Sequence, residues 1–326
     1  MTDPASPDTE SPSGGPGGQD PLPPQTILER FGVSPFVFAI LCLVFLFLLY
    51  QVVGGAVSFL LFKGLPGPDD VEAIRIVTGL GQLLLLFVPA LLLVRLATRS
   101  PREYFRLRRP RALPVLLSLV GIVSLQQILQ VYLVFQDKIP IPEALARDLE
   151  QYRKLVEESM KLIVTANSIP ELLWVILVIA MIPAVVEEFV FRGLVQSSIE
   201  KGSTPLHGAV VTGIVFGAYH LIPSSVVPLS MLGVYLGFLA YRSNSLWVSV
   251  IAHFFNNAVA CVATYLRVDD EALLTGDPKA MSPALLLGTV WFFGIVFGLS
   301  TYYFYRVTRP AEPDADGDDE PEPDAA

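Results

Sequence analysis

Apolar residues along this chain are gathered into runs long enough to cross a bilayer, with the polar residues collected between them. Predominantly hydrophobic stretches occupy 34–62, 74–97, 113–135, 171–199, 205–222, 224–241, 245–266 and 284–305. A helix needs roughly 20 apolar residues to span hydrocarbon. The pattern therefore predicts an all-α fold, a polytopic integral membrane bundle of about eight transmembrane helices. The runs 205–222 and 224–241 are the shortest and hold internal Gly and Pro, which a bundle tolerates because neighbouring helices satisfy the freed backbone groups.

A different period appears between the third and fourth runs. Leu145, Leu149, Tyr152, Val156, Met160 and Ile163 recur at helical spacing, with Arg, Lys and Glu between them. That spacing predicts an amphipathic helix lying on the membrane surface or packed over the bundle. The organisation that follows is a Pro/Gly-rich tail over 1–33, transmembrane helices over 34–136 and an amphipathic connector over 137–170. A helical core over 171–266 comes next, then a loop and last helix over 267–306 and an acidic tail over 307–326.

Composition agrees. Hydrophobic residues make up 52% of the chain and charged residues 16%, against about 25% charged in soluble domains. The net charge of −9 is carried mostly by the ends, including the tail "EPDADGDDEPEPDAA". Both tails lack the apolar surface that would offset the entropy of ordering, and disorder is expected there. No feature points to nucleic acid. Cys42 and Cys261 sit in apolar runs with neither metal spacing nor a disulfide framework, so buried small residues are expected. The first run follows a long polar leader and exceeds a signal-peptide core, so no cleavable signal is expected.

Orientation follows from basic residues in short loops. The loop after the second run carries Arg95, Arg99, Arg102, Arg106, Arg108, Arg109 and Arg111 against Glu103 alone. This places the loop in the cytoplasm and, by alternation, both termini there as well, in the cell membrane.

Three polar groupings interrupt the apolar runs. In "VVEEFVFRG" two acids and a base lie where one ionisable residue costs roughly 2.5–3.5 kcal/mol at a helix centre. Glu188 and Arg192 are i and i+4 and so pair on one face. Glu187 is turned about 100° away and is left for chemistry. In "FGAYH", Phe216 sets its ring beside His220; in "HFFNN", His253 and Asn257 share a face. Each grouping alone also fits an ion-pair lock or interhelical hydrogen bonding. Glu187 and His220 are equidistant from the turn "KGST", so an antiparallel hairpin puts them level. His253 lies roughly 12–14 Å into its own run, and meets them where the fourth helix tilts or overshoots the hydrocarbon.

Such a cavity has the parts for hydrolysis: a desolvated glutamate as base, a histidine to hold water, and His and Asn donors for an oxyanion. A zinc site built from Glu187 or Glu188, His220 and His253 is the alternative, but the chain lacks the His-Glu-x-x-His pattern. No metal or other cofactor is expected. A proton- or ion-coupled transporter using the same acids is a further alternative, though no matching pair of broken helices appears in the first half.

"EEFVFR", "FGAYH" and "HFFNN", in this order on successive runs, resemble the motifs of the CPBP intramembrane proteases. That family includes the type II CAAX prenyl endopeptidases and bacterial bacteriocin-immunity or abortive-infection proteins. The resemblance covers roughly residues 172–266. It implies Glu187 as the general base with His220, His253 and Asn257 as the oxyanion pair, and Glu188, Arg192 and Phe216 as supporting residues. It also implies an eight-helix bundle and a membrane-associated peptide or protein substrate, with a non-catalytic immunity protein as another outcome.

Overall fold

The computed structural model describes residues 26–64, 67–140, 142–266 and 282–308, and the regular structure among them is entirely helical. The acidic tail from 309 onward, most of the loop before the last helix and the first 25 residues fall outside the described residues. Within the expected leader, Ile27–Arg30 form one helical turn closed by a capping box between Thr26 and Glu29.

In chain order the main helices are α1 (Pro35–Phe62), α2 (Pro68–Ala97), α3 (Ala112–Gln136), α4 (Glu143–Val164), α5 (Ile169–Lys201), α6 (Pro205–Tyr219), α7 (Pro223–Ser243), α8 (Leu246–Tyr265) and α9 (Pro283–Val307). All but α4 and α6 are long and apolar enough to cross a membrane. The chain is a multi-pass membrane protein. The expected run 205–222 is shorter as a helix: α6 has 15 residues, about 22 Å of helix. It stops because Leu221 adopts a left-handed backbone, φ 58°, and Pro223 follows.

The helix starts are written in the sequence. Ser34, Ser168, Thr204 and Ser282 each cap a helix through the side chain, and each is followed within two residues by proline. The hydroxyl accepts from an orphan N–H, and proline removes another donor that would be unsatisfied.

The core falls into two main clusters. One joins Phe38, Cys42 and Leu46 of α1, Leu86 and Ala90 of α2, and Phe189, Val190 and Leu194 of α5. The other joins Ile122 and Leu125 of α3, Leu232 and Leu236 of α7, Val248 of α8 and Phe304 of α9. The axis of the molecule is α5, where every residue from 188 to 199 is buried. Cys42 and Cys261 are buried and free, as expected.

α6 and α7 approach backbone to backbone. A Cβ on Gly213 would lie 2.4 Å from the Val234 nitrogen, and one on Gly233 would lie 2.8 Å from the Gly213 carbonyl oxygen. With Gly217 and Gly237 these form two Gly-x-x-x-Gly faces, the small-residue packing that membranes favour.

The ends of the bundle carry different chemistry. At one end the arginine-rich loop docks under α5 and α8. Arg106 pairs with Glu200, the Ser245 hydroxyl donates to the Arg108 carbonyl at 2.7 Å, and Arg111 donates to the Val307 carbonyl. Tyr104 in this loop bonds Ser198 at 2.8 Å, and burial pushes its hydroxyl up to about 12. At the other end α4 lies as an amphipathic helix with no buried residue of its own. Its C-terminal end is gripped by the fully buried Arg75, whose Nε donates to the Ile163 carbonyl at 2.9 Å and whose Nη1 pairs with Glu171 at 3.0 Å. Its middle is tied by Tyr152, which donates to the Leu221 carbonyl at 3.0 Å.

Candidate active site

The two acids stand where α5 enters the core. The side chain of Glu187 is 18% exposed, and that of Glu188 is fully enclosed. They are flanked by π-helical stretches at Ile176–Met181 and Phe189–Gln196, a wider winding that recurs at functional sites. Being consecutive on a helix, the acids face different neighbours.

Glu188 is fully committed. Its Oε1 accepts from Arg192 Nη1 and from His253 Nδ1, both at 2.9 Å, and its Oε2 accepts from the Ser249 hydroxyl. Arg192 in turn donates to the Gly233 carbonyl at 2.9 Å and lies 4.5 Å over the Phe216 ring. A buried charge needs partners of this kind, because desolvating an ion costs several kcal/mol.

His253 links the two acids. With Nδ1 given to Glu188, its Nε2 faces Glu187 Oε2 at 3.9 Å. A carboxylate only accepts, so Nδ1 carries a proton; Nε2 accepts in the neutral ring and donates in the imidazolium.

His220, half-buried at the end of α6, places Nδ1 2.7 Å from the Phe216 carbonyl oxygen. A carbonyl accepts, so Nδ1–H donates and Nε2 is left free. The Phe216 ring stands between the two imidazoles, 4.7 Å from His220 and 5.9 Å from His253. No hydrogen bond or ion pair joins Glu187 to His220 among the described residues. Asn257 lies one helical turn beyond His253, and its Oδ1 accepts from Asn256 at 3.2 Å. Asn256 accepts in turn from Gln126 of α3. The structure thus brings Glu187, Glu188, Arg192, Phe216 and His253 into one cluster. His220 joins it through Phe216, and Asn257 is set one turn along the same helix.

The depth of these residues follows from helix length. α5 has 33 residues, about 50 Å at 1.5 Å per residue, against a hydrocarbon core of roughly 30 Å. Residue 187 of this long helix meets a histidine that is only eight residues into α8. Phe191 and Phe216 share the same midpoint in the turn as Glu187 and His220, and their rings stand 5.1 Å apart.

Sequence reasoning did not single out Ser249 or Gly233. Ser249 lies four residues before His253 and carried a helical-spacing signal; the Gly233 carbonyl carried none.

Among the described residues no group of three or more His, Cys, Asp or Glu is arranged to hold a metal.

Residues 169–259 match a family model described as Type II CAAX prenyl endopeptidase Rce1-like. This stretch resembles that family. It holds α5, α6, α7 and most of α8, and with them all seven residues singled out above. The matched family is one of proteases, which are hydrolases. No curated protein and no solved structure matches the chain.

Proposed function

We propose that the chain is an intramembrane endopeptidase that hydrolyses a peptide bond of a membrane-associated protein or peptide. The prenylated CAAX type named by the matched family is the substrate class to try first. One observation carries the reading: of two adjacent acids, Glu188 is saturated by Arg192, Ser249 and His253, while Glu187 keeps an accessible carboxylate facing the Nε2 of His253.

In this scheme Glu187 takes a proton from water held with His220 while the water oxygen bonds to the carbonyl carbon. The carbonyl π electrons move to oxygen as an oxyanion, stabilised by the Nε2–H of His253 and by Asn257. The oxyanion then re-forms the carbonyl, the carbon–nitrogen bond breaks, and the amine takes the proton from Glu187. Glu188, Arg192 and Phe216 hold His253 and the helix faces in place.

The end bearing the arginine-rich loop is assigned to the cytoplasm of a cell membrane, since short loops rich in Arg stay inside. Purified protein in liposomes, given a farnesylated CAAX peptide and its unlipidated twin, tests the reading. Cleavage of the farnesylated peptide that survives a chelator is expected. No cleavage of either peptide would overturn it, and chelator-abolished cleavage restored by Zn²⁺ would replace this mechanism.

A further inference from the structure

Tyr219 directly precedes His220 and takes no part in the mechanism above. Its ring is wedged between Phe47 of α1, at 5.4 Å and 84°, and Phe191 of α5, at 5.3 Å and 86°. Phe191 is one turn beyond Glu187 on the same face of α5, and the Tyr219 ring packs against it. Two edge-on rings from separate helices thus hold the phenol on the α5 face that carries the accessible acid.

That hydroxyl is enclosed and has no hydrogen-bond partner among the described residues. Tyr104, Tyr152 and Tyr235 each satisfy theirs, on Ser198, the Leu221 carbonyl and the Ser118 carbonyl respectively. Buried hydroxyls are paired in the large majority of cases, and an exception calls for a reason. A rigid O–H donor with no acceptor among the described residues is suited to an acceptor that arrives with substrate. A negatively charged oxygen next to Glu187 is such an acceptor, and donors already aimed at developing charge need no reorganisation.

We propose that Tyr219 is a catalytic residue, its hydroxyl donating to the oxyanion of the tetrahedral intermediate alongside His253. The inference rests on the peptidase reading and adds a donor from α6 to those on α8.

The test is Tyr219→Phe, which keeps the ring and its two aromatic contacts. With the farnesylated peptide, kcat falls on the order of 10²-fold, the effect of removing one oxyanion donor, while KM stays within about twofold. Affinity for a phosphinic peptide, whose tetrahedral oxygens mimic the intermediate, falls in parallel with kcat/KM, and thermal stability is kept or improved. Unchanged kcat in Tyr219→Phe, with Glu187→Gln inactive, would overturn this inference and leave the peptidase reading standing. Reduced kcat with unaltered phosphinate affinity would also overturn it. Full activity in Glu187→Gln would instead remove the reading on which it rests.

Discussion

Glu188 and Arg192 form an ion pair across one helical turn, Oε1 to Nη1 at 2.9 Å, with neither side chain exposed to any solvent. Removing one member leaves the other as a buried uncompensated charge, which typically costs about 3–5 kcal/mol. Arg192→Met is expected to lower the unfolding temperature in detergent steeply and to reduce the yield of folded protein. The double variant Glu188→Gln/Arg192→Met loses less than the two single losses combined, because the contacting groups are coupled. Additive losses in thermal unfolding would show that the pair is not coupled.

Ser249 shares its single proton between Glu188 Oε2 and the Leu236 carbonyl. Hydrogen bonds to charged groups contribute about 1.5–3 kcal/mol. Ser249→Ala is expected to destabilise by that order and to lower kcat, because Glu188 is then free to turn and release His253. Ser249→Thr keeps a hydroxyl and retains more activity than the alanine variant. Equal kcat in both, measured on the farnesylated peptide, would separate Ser249 from the site.

The α6–α7 contact leaves no space at Gly213, where a Cβ would sit 2.4 Å from a backbone nitrogen that cannot swing aside. Gly213→Val forces the hairpin apart, and α6 is the helix that carries Phe216, Tyr219 and His220. Loss of folded protein on size-exclusion chromatography is expected. Gly288→Val on α9, where a Cβ meets nothing within 4 Å among the described residues, is the matched control and is expected to fold. Wild-type behaviour of Gly213→Val would refute the close approach.

Much of this was legible in the sequence because hydrocarbon imposes a length on every helix and a cost on every charge. The amphipathic period of α4 and the i, i+4 pairing of Glu188 with Arg192 are local features. The structure reproduces both. What the sequence left open depended on tertiary placement. Nothing local shows that residue 187 of α5 meets His253, or that Glu188 captures the Nδ1 of that histidine. The backbone acceptor at Gly233 and the enclosed hydroxyl of Tyr219 arise only when α5, α6 and α7 are packed. Residue 222 was expected inside the fifth run, and the left-handed Leu221 ended that helix earlier.

The central claim is that the accessible acid, and not its buried neighbour, activates water. Glu187→Gln is nearly isosteric and keeps Glu188, Arg192 and His253 in place, so it is expected to fold with an unfolding temperature close to wild type. Single-turnover cleavage of a farnesylated CAAX peptide by reconstituted protein is the direct measurement. A loss of 10²- to 10⁴-fold, roughly the size of a general-base contribution, is the result this account predicts. Cleavage at the wild-type rate would contradict it.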